Sequence, residues 1–131
     1  MNNISVNDVN SKEYQEFLKN NPGRGTLNIR VSSLSQAIPI SNLKVVVSKI
    51  IGKDNVIFFE GYSDSSGIIS SIILPTPKLN QDDLKIPSSV TYDILATYTP
   101  DKISERFEVN MYENVSVLQN INIVLKNREE S

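Results

Sequence analysis

Three groups of side chains in this sequence have types and spacings that could do chemistry. Ser41-Asn42-Leu43-Lys44 has the spacing of a Ser-x-x-Lys dyad, in which a lysine activates a serine. That dyad needs the serine at a helix start, so that the lysine one turn on meets it. Here the segment opens a strand pattern, where residues three apart point to opposite faces, and no catalysis is expected from it. Asp82 and Asp83, adjacent in a long loop, and Asp64 in a turn are carboxylates that could serve as acid, base or calcium ligand. Asp64-Ser65-Ser66-Gly67 is a turn in its own right, because aspartate accepts local backbone hydrogen bonds, and Asp82-Asp83 lacks the spaced ligands of an EF-hand. The third group is aromatic. Tyr62, Tyr98 and Tyr112 fall at strand ends, where a ring is better placed to meet a sugar or a peptide. Most of the other rings are expected in the core.

Composition narrows the chemistry further. The 131 residues include no His, Cys or Trp. A Ser-His-Asp or Cys-His nucleophile cannot be built. Neither can a zinc site of the usual ligands, a His- or Cys-bound haem or a disulfide. No catalytic residue, cofactor or metal is therefore expected. A net charge of -2, from 13 basic and 15 acidic residues, offers no basic footprint for nucleic acid. The apolar runs fall far short of the roughly 20 residues that span a bilayer, so no membrane insertion is expected. Residues 1–8 lack the basic and apolar regions of a Sec signal peptide. That points to a cytoplasmic location or to release by another route. The length fits one domain.

The elements that position these groups read as follows. Asn10 is the expected N-cap of a short helix, with Glu13 at its N3 position. Tyr14, Phe17 and Leu18 share one face of that helix, and Asn20-Asn21-Pro22-Gly23 ends it. A helix this short needs something to dock on: its own domain first, a partner as the alternative. From Gly25 the period changes to two. Seven strands are expected, over residues 26–32, 43–51, 56–62, 68–74, 90–98, 106–112 and 115–125, with Pro75 stopping the fourth. The 43–51 and 68–74 segments are apolar on both faces. A loop of about 15 residues separates the fourth strand from the fifth, long enough to be functional. Seven short strands with turn signals about every ten residues imply an all-β, seven-stranded antiparallel Greek-key sandwich. It would occupy residues 25–125, after an N-terminal tail and helix over 1–24 and before a charged tail over 126–131.

Several segments carry a family resemblance: Gly25-Thr26-Leu27-Asn28-Ile29-Arg30-Val31, Ala37-Ile38-Pro39-Ile40, Tyr62-Ser63-Asp64-Ser65-Ser66-Gly67, Ile72-Ile73-Leu74-Pro75, Tyr92-Asp93-Ile94-Leu95-Ala96 and Ile121-Asn122-Ile123-Val124-Leu125. Together they resemble the carboxypeptidase-regulatory-like, or transthyretin-like, β-sandwich family. With Phe17 through Leu27 added, the chain is similar to a clostridial subset that includes the non-catalytic module of spore cortex-lytic enzymes. Tyr98-Thr99-Pro100-Asp101 departs from the family's usual Gly-aromatic corner after the fifth strand. The resemblance specifies fold better than function. In related collagen-adhesin sandwiches a first-strand Lys and a last-strand Asn form an isopeptide bond. Asn122 is present here, but the first strand offers Asn28 and Arg30 and no Lys, which argues against one.

The expectation is a non-enzymatic structural or protein-interaction module of a larger assembly, acting through sheet edges and loops. Its partner would be another protein or a second copy of itself. A carbohydrate-binding module for a polysaccharide such as peptidoglycan is the alternative, and a two-carboxylate hydrolase the third. Tyr14, Phe17, Leu18, Tyr98, Tyr112, Asp82 and Asp83 are the candidate contact residues.

Overall fold

Alternating apolar residues build nearly every element. The computed structural model describes residues 3–4, 11–33, 38–78 and 88–125. Eight strands and one helix follow in order: β1 (Asn3–Ile4), α1 (Lys12–Asn20), β2 (Gly23–Ser33), β3 (Lys44–Ile51), β4 (Asp54–Tyr62), β5 (Ile68–Thr76), β6 (Ser89–Tyr98), β7 (Ile103–Tyr112) and β8 (Ser116–Ile123). They form a five-stranded sheet in the order β1-β4-β3-β6-β7 and a three-stranded sheet in the order β5-β2-β8. The inward side chains of both sheets make one core. Leu27, Ile29 and Val31 of β2, Leu74 of β5 and Ile121 and Ile123 of β8 are fully buried in it. So are Val45 and Val47 of β3, Tyr92 and Ile94 of β6 and Met111 of β7. Each such aliphatic residue contributes about 1.5–3 kcal/mol over an exposed one.

The arrangement is mostly β and two-layered, with departures from the expected seven antiparallel strands. β1 pairs parallel with β4 through Asn3–Asn55 and Ile4–Val56. β2 pairs parallel with β8 over eight residue pairs, Thr26–Ser116 through Ser33–Ile123. Period-two alternation shows that a segment is a strand but carries no information on the direction of its neighbour. Pro75 does not stop β5, which runs on to Thr76. β5 is an edge strand, and a proline there has an open side for its missing N–H.

Two bulges explain the segments that read as ambiguous. Val47 pairs with Phe59 and Ser48 with Ile57, so Phe58 has no partner across the ladder. The extra residue lets Phe58 and Phe59 both pack against the core. In β5, Leu27 pairs with Ile72 and Ile29 with Ile69, which leaves Ser70 and Ser71 opposite Asn28. Ser71 takes φ +63°, and its N–H donates to Asn28 Oδ1 at 2.9 Å. Ile69 and Ile72, three apart, thereby both point inward, while Ile73 is left exposed.

The loop ahead of β3 is fastened by one side chain. Buried Ser63 Oγ accepts from Leu43 N–H at 3.0 Å and donates to the Ile40 carbonyl at 2.7 Å. Asp64 follows it, with Oδ1 accepting from Ser66 N–H and Ile68 N–H, both at 2.9 Å. Gly67 closes that turn at φ +76°, where a Cβ would lie 2.4 Å from the Val31 carbonyl oxygen. Only glycine meets both demands.

α1 is capped by Ser11, one residue later than the expected Asn10. Ser11 Oγ accepts from Tyr14 N–H at 3.1 Å, and Asn21 Nδ2 donates to the Phe17 carbonyl at 2.7 Å. The helix docks on its own sandwich. Tyr14 and Phe17 lie 6.3 and 5.8 Å from the Phe58 ring, which in turn meets Tyr92 edge-on at 5.2 Å. Tyr92 donates its hydroxyl proton to the Pro75 carbonyl at 2.6 Å, joining the two sheets. Burial first, and the Tyr14 hydroxyl second, push the Tyr92 phenol well above its usual value.

Two outcomes follow. Ser63→Ala strands the Leu43 N–H and the Ile40 carbonyl, and should cost about 1–3 kcal/mol in urea unfolding. The raised Tyr92 phenol holds its proton more tightly folded than unfolded. Its contribution is intact below pH about 10 and is lost as pH rises above that value. The stability difference between wild type and Tyr92→Phe should therefore be flat from pH 7 to about 10 and shrink beyond it.

Candidate functional site

The candidate contact residues do not converge on one place. Tyr14 and Phe17 are spent on Phe58, and Leu18 is half-buried on the same helix, its carbonyl accepting from Asn21 N–H at 3.2 Å. Tyr98, at the end of β6, is half-buried and packs against the core, so its ring is not a surface platform. Tyr112, at the end of β7, is half-buried, and its carbonyl sits 2.6 Å from where a Cβ on Gly25 would lie. Asp82 and Asp83 lie outside the described residues. Asp64 is committed to its turn. Lys44 does not address Ser41: its Nζ is 2.9 Å from Glu60 Oε2 across the β3–β4 ladder. The Glu60 hydrogen bond, and then its charge, hold the Lys44 ammonium above its ordinary pKa. Asn122, the last-strand asparagine, accepts from Ser32 Oγ at 2.9 Å on the outer face. Among the described residues, no group of three or more acidic side chains is gathered to hold a metal ion, and no helix is long and apolar enough to cross a membrane.

What the fold builds instead are two surfaces that no single segment announces. The first is a groove of about 540 Å³ on the outer face of the larger sheet. Register lays its floor in rows across β4, β3, β6 and β7. One row is Tyr62, Lys44 and Thr97; the next is Glu60, Val46, Leu95 and Arg106. The centre is therefore apolar, at Val46 and Leu95, between the Lys44–Glu60 pair and Arg106. Tyr62 stands at one wall with 60% of its surface exposed. The β4 bulge makes this possible, since it turns Glu60 and Tyr62 outward in phase with Ile57 instead of with Phe58.

The second surface is an edge. A strand at the end of a sheet carries a row of unpaired N–H and C=O groups, and proteins blunt such edges with charge, proline, bulges or a covering segment. Three edges here are blunted. β1 covers Asn55 and Val56 of β4, whose bulge follows at Phe58. β5 carries the Ser71 bulge and Pro75. β7 presents Glu105, Arg106 and Glu108. β8 has none of these devices. Ser116-Val117-Leu118-Gln119-Asn120-Ile121-Asn122-Ile123 is uncharged and proline-free, it pairs with β2 in unbroken register, and it ends its sheet among the described residues. Leu118 on its outer face is 50% exposed.

The two tyrosines at the ends of β4 and β6 should separate in mutants. Tyr62→Ala should change stability by less than about 0.5 kcal/mol, as for an exposed residue. Tyr98→Ala should cost about 1–3 kcal/mol by denaturant unfolding, because its ring covers core.

No family model matches the chain, and no curated protein matches it either.

Proposed function

We propose that the chain is a non-catalytic protein-interaction module of a larger assembly, built on a transthyretin-like sandwich, and that a strand from its partner adds to the open edge of β8. The single observation that carries this reading is the contrast between the edges. Three carry features that resist pairing, while β8 is eight residues long, regular, neutral and bare among the described residues. Main-chain hydrogen bonds would supply the attachment, and outward Leu118 would supply a side-chain contact. The spore, envelope or phage-like setting belongs to the same proposal and rests on the resemblance of the turns and strand ends.

A second reading has its own observation. Exposed Tyr62 beside the Lys44–Glu60 pair offers a ring and hydrogen-bonding groups above the apolar Val46–Leu95 floor, a combination that suits a sugar. Sedimentation with peptidoglycan, weakened by Tyr62→Ala and not by Leu118→Lys, would favour that polysaccharide-binding role.

Amide hydrogen exchange separates the two. Comparing the isolated chain with complexes it forms in an extract of its source, the interaction reading expects new protection over residues 116–123. It also expects Leu118→Lys to prevent complex formation while leaving the melting temperature nearly unchanged. Protection confined to β3, β4 and β6, with Leu118→Lys without effect, would overturn it.

A further inference from the structure

Resting on the β8 reading above, we infer that the strand added at β8 is an acidic strand of another protein, with Asp or Glu side chains set against Asn120 and Asn122. Arg30 Nε donates to Asn120 Oδ1 at 3.2 Å, and Ser32 Oγ donates to Asn122 Oδ1 at 2.9 Å. These are cross-strand partners in the β2–β8 ladder, so both asparagine oxygens are spent on β2. A guanidinium can only donate, which fixes the oxygen's position at Asn120. The nitrogen of a planar amide diverges from its oxygen. With Oδ1 held toward β2, each Nδ2 turns toward the open edge. Both side chains are exposed, and neither Nδ2 has an acceptor among the described residues. Two donors thus stand about 7 Å apart along the rim of the sheet, where the outer side chains of a next strand would lie.

Charge selects what meets them. The chain has a net charge of -2, yet the charged side chains of β5, β2 and β8 are Arg24 and Arg30, with no acid among them. Neither arginine forms an ion pair among the described residues. Asp64, in the turn before β5, is engaged by the N–H groups of Ser66 and Ile68. The Nε bond draws Arg30 over β8 and leaves its Nη groups without a partner among the described residues. A carboxylate beside Asn120 would accept from its Nδ2 and answer the Arg30 charge, and a second one two residues along would accept from Asn122. The Asp/Glu-x-Asp/Glu pattern this requires occurs nowhere in the 131 residues, so a second copy cannot supply it.

The test uses the full chain and three synthetic peptides of the length of β8. Each alternates threonine and valine except at two central outward positions, which are Glu-x-Glu, Gln-x-Gln or Lys-x-Lys. The Glu-x-Glu peptide should protect the amides of residues 116–123 from exchange and bind at least about fivefold more tightly than Gln-x-Gln, with Lys-x-Lys weakest. Arg30→Glu should reverse that order. Circular dichroism establishes that the variant is folded; if it is not, Asn120→Asp, which replaces the donor with an acceptor, should abolish the preference for Glu-x-Glu. Equal binding of the Glu and Gln peptides with protection at 116–123 overturns the acidic partner and leaves strand addition at β8 standing. A Glu-x-Glu preference with protection elsewhere overturns it by placing the anion site outside β8. Absence of protection at 116–123 with all three peptides counts against strand addition itself, and the acidic partner falls with it.

Discussion

The architecture depends on β2 being held from both sides. It is the centre of the three-stranded sheet, antiparallel to β5 and parallel to β8. Leu27, Ile29 and Val31 on its inner face are fully buried. Both ladders of this layer run through it, so without β2 the layer has no ladder at all. One flank is supplied some 40 residues later by β5, the other some 90 residues later by β8. The second closure is far in sequence and must await the synthesis of nearly the whole described chain. Long-range pairings of this kind are slow to form. The edge that results is a by-product of this order: β8 comes last among the described strands, fills the open side of β2 and leaves its own far side unmatched among the described residues.

How much of this can be read from the residues follows from which interactions are local. The strand identities, the Asp64–Gly67 turn and the helix with its Tyr14 and Phe17 face are legible, because alternation, turn chemistry and helical spacing act within ten residues. The bulges are not. In β5, Ile68, Ile69, Ile72 and Ile73 look apolar on both faces, and only the left-handed backbone at Ser71 sorts them into inner and outer sets. The same is true of Phe58 and Phe59. The parallel directions of β1 and β8 escape because alternation has no polarity. The place of Tyr98 near a strand end suggests a peripheral ring, yet it sits on the inward phase of β6 with Tyr92, Ile94 and Ala96. That phase outweighs its place at the strand end.

The groove and the open edge illustrate two ways in which function escapes single-segment reading. The groove exists only as rows of residues drawn from four strands, so Val46, Leu95 and Arg106 become neighbours through register alone. The edge is legible in principle, since the neutral run from Asn114 to Leu125 is plain in the chain. Its meaning appears only when the sheet order shows that nothing among the described residues lies beyond it. Both surfaces are built without an unusual side chain. That accords with a sequence whose polar residues are largely tied into turns, as Ser63 and Asp64 are, or into cross-strand pairs, as Lys44 and Glu60 are.

The parallel alignment of β2 and β8 has a mechanical side. Gly23 and Ile123 mark the outward ends of two neighbouring strands that point the same way, so they lie at opposite ends of the pair. Tension between those two points would pull the strands lengthwise past each other. The hydrogen bonds of the eight paired residues would then be loaded together, in shear, where a hairpin pulled from its open end yields one bond at a time. The sandwich is thereby clamped along the line on which β2 and β8 would transmit force.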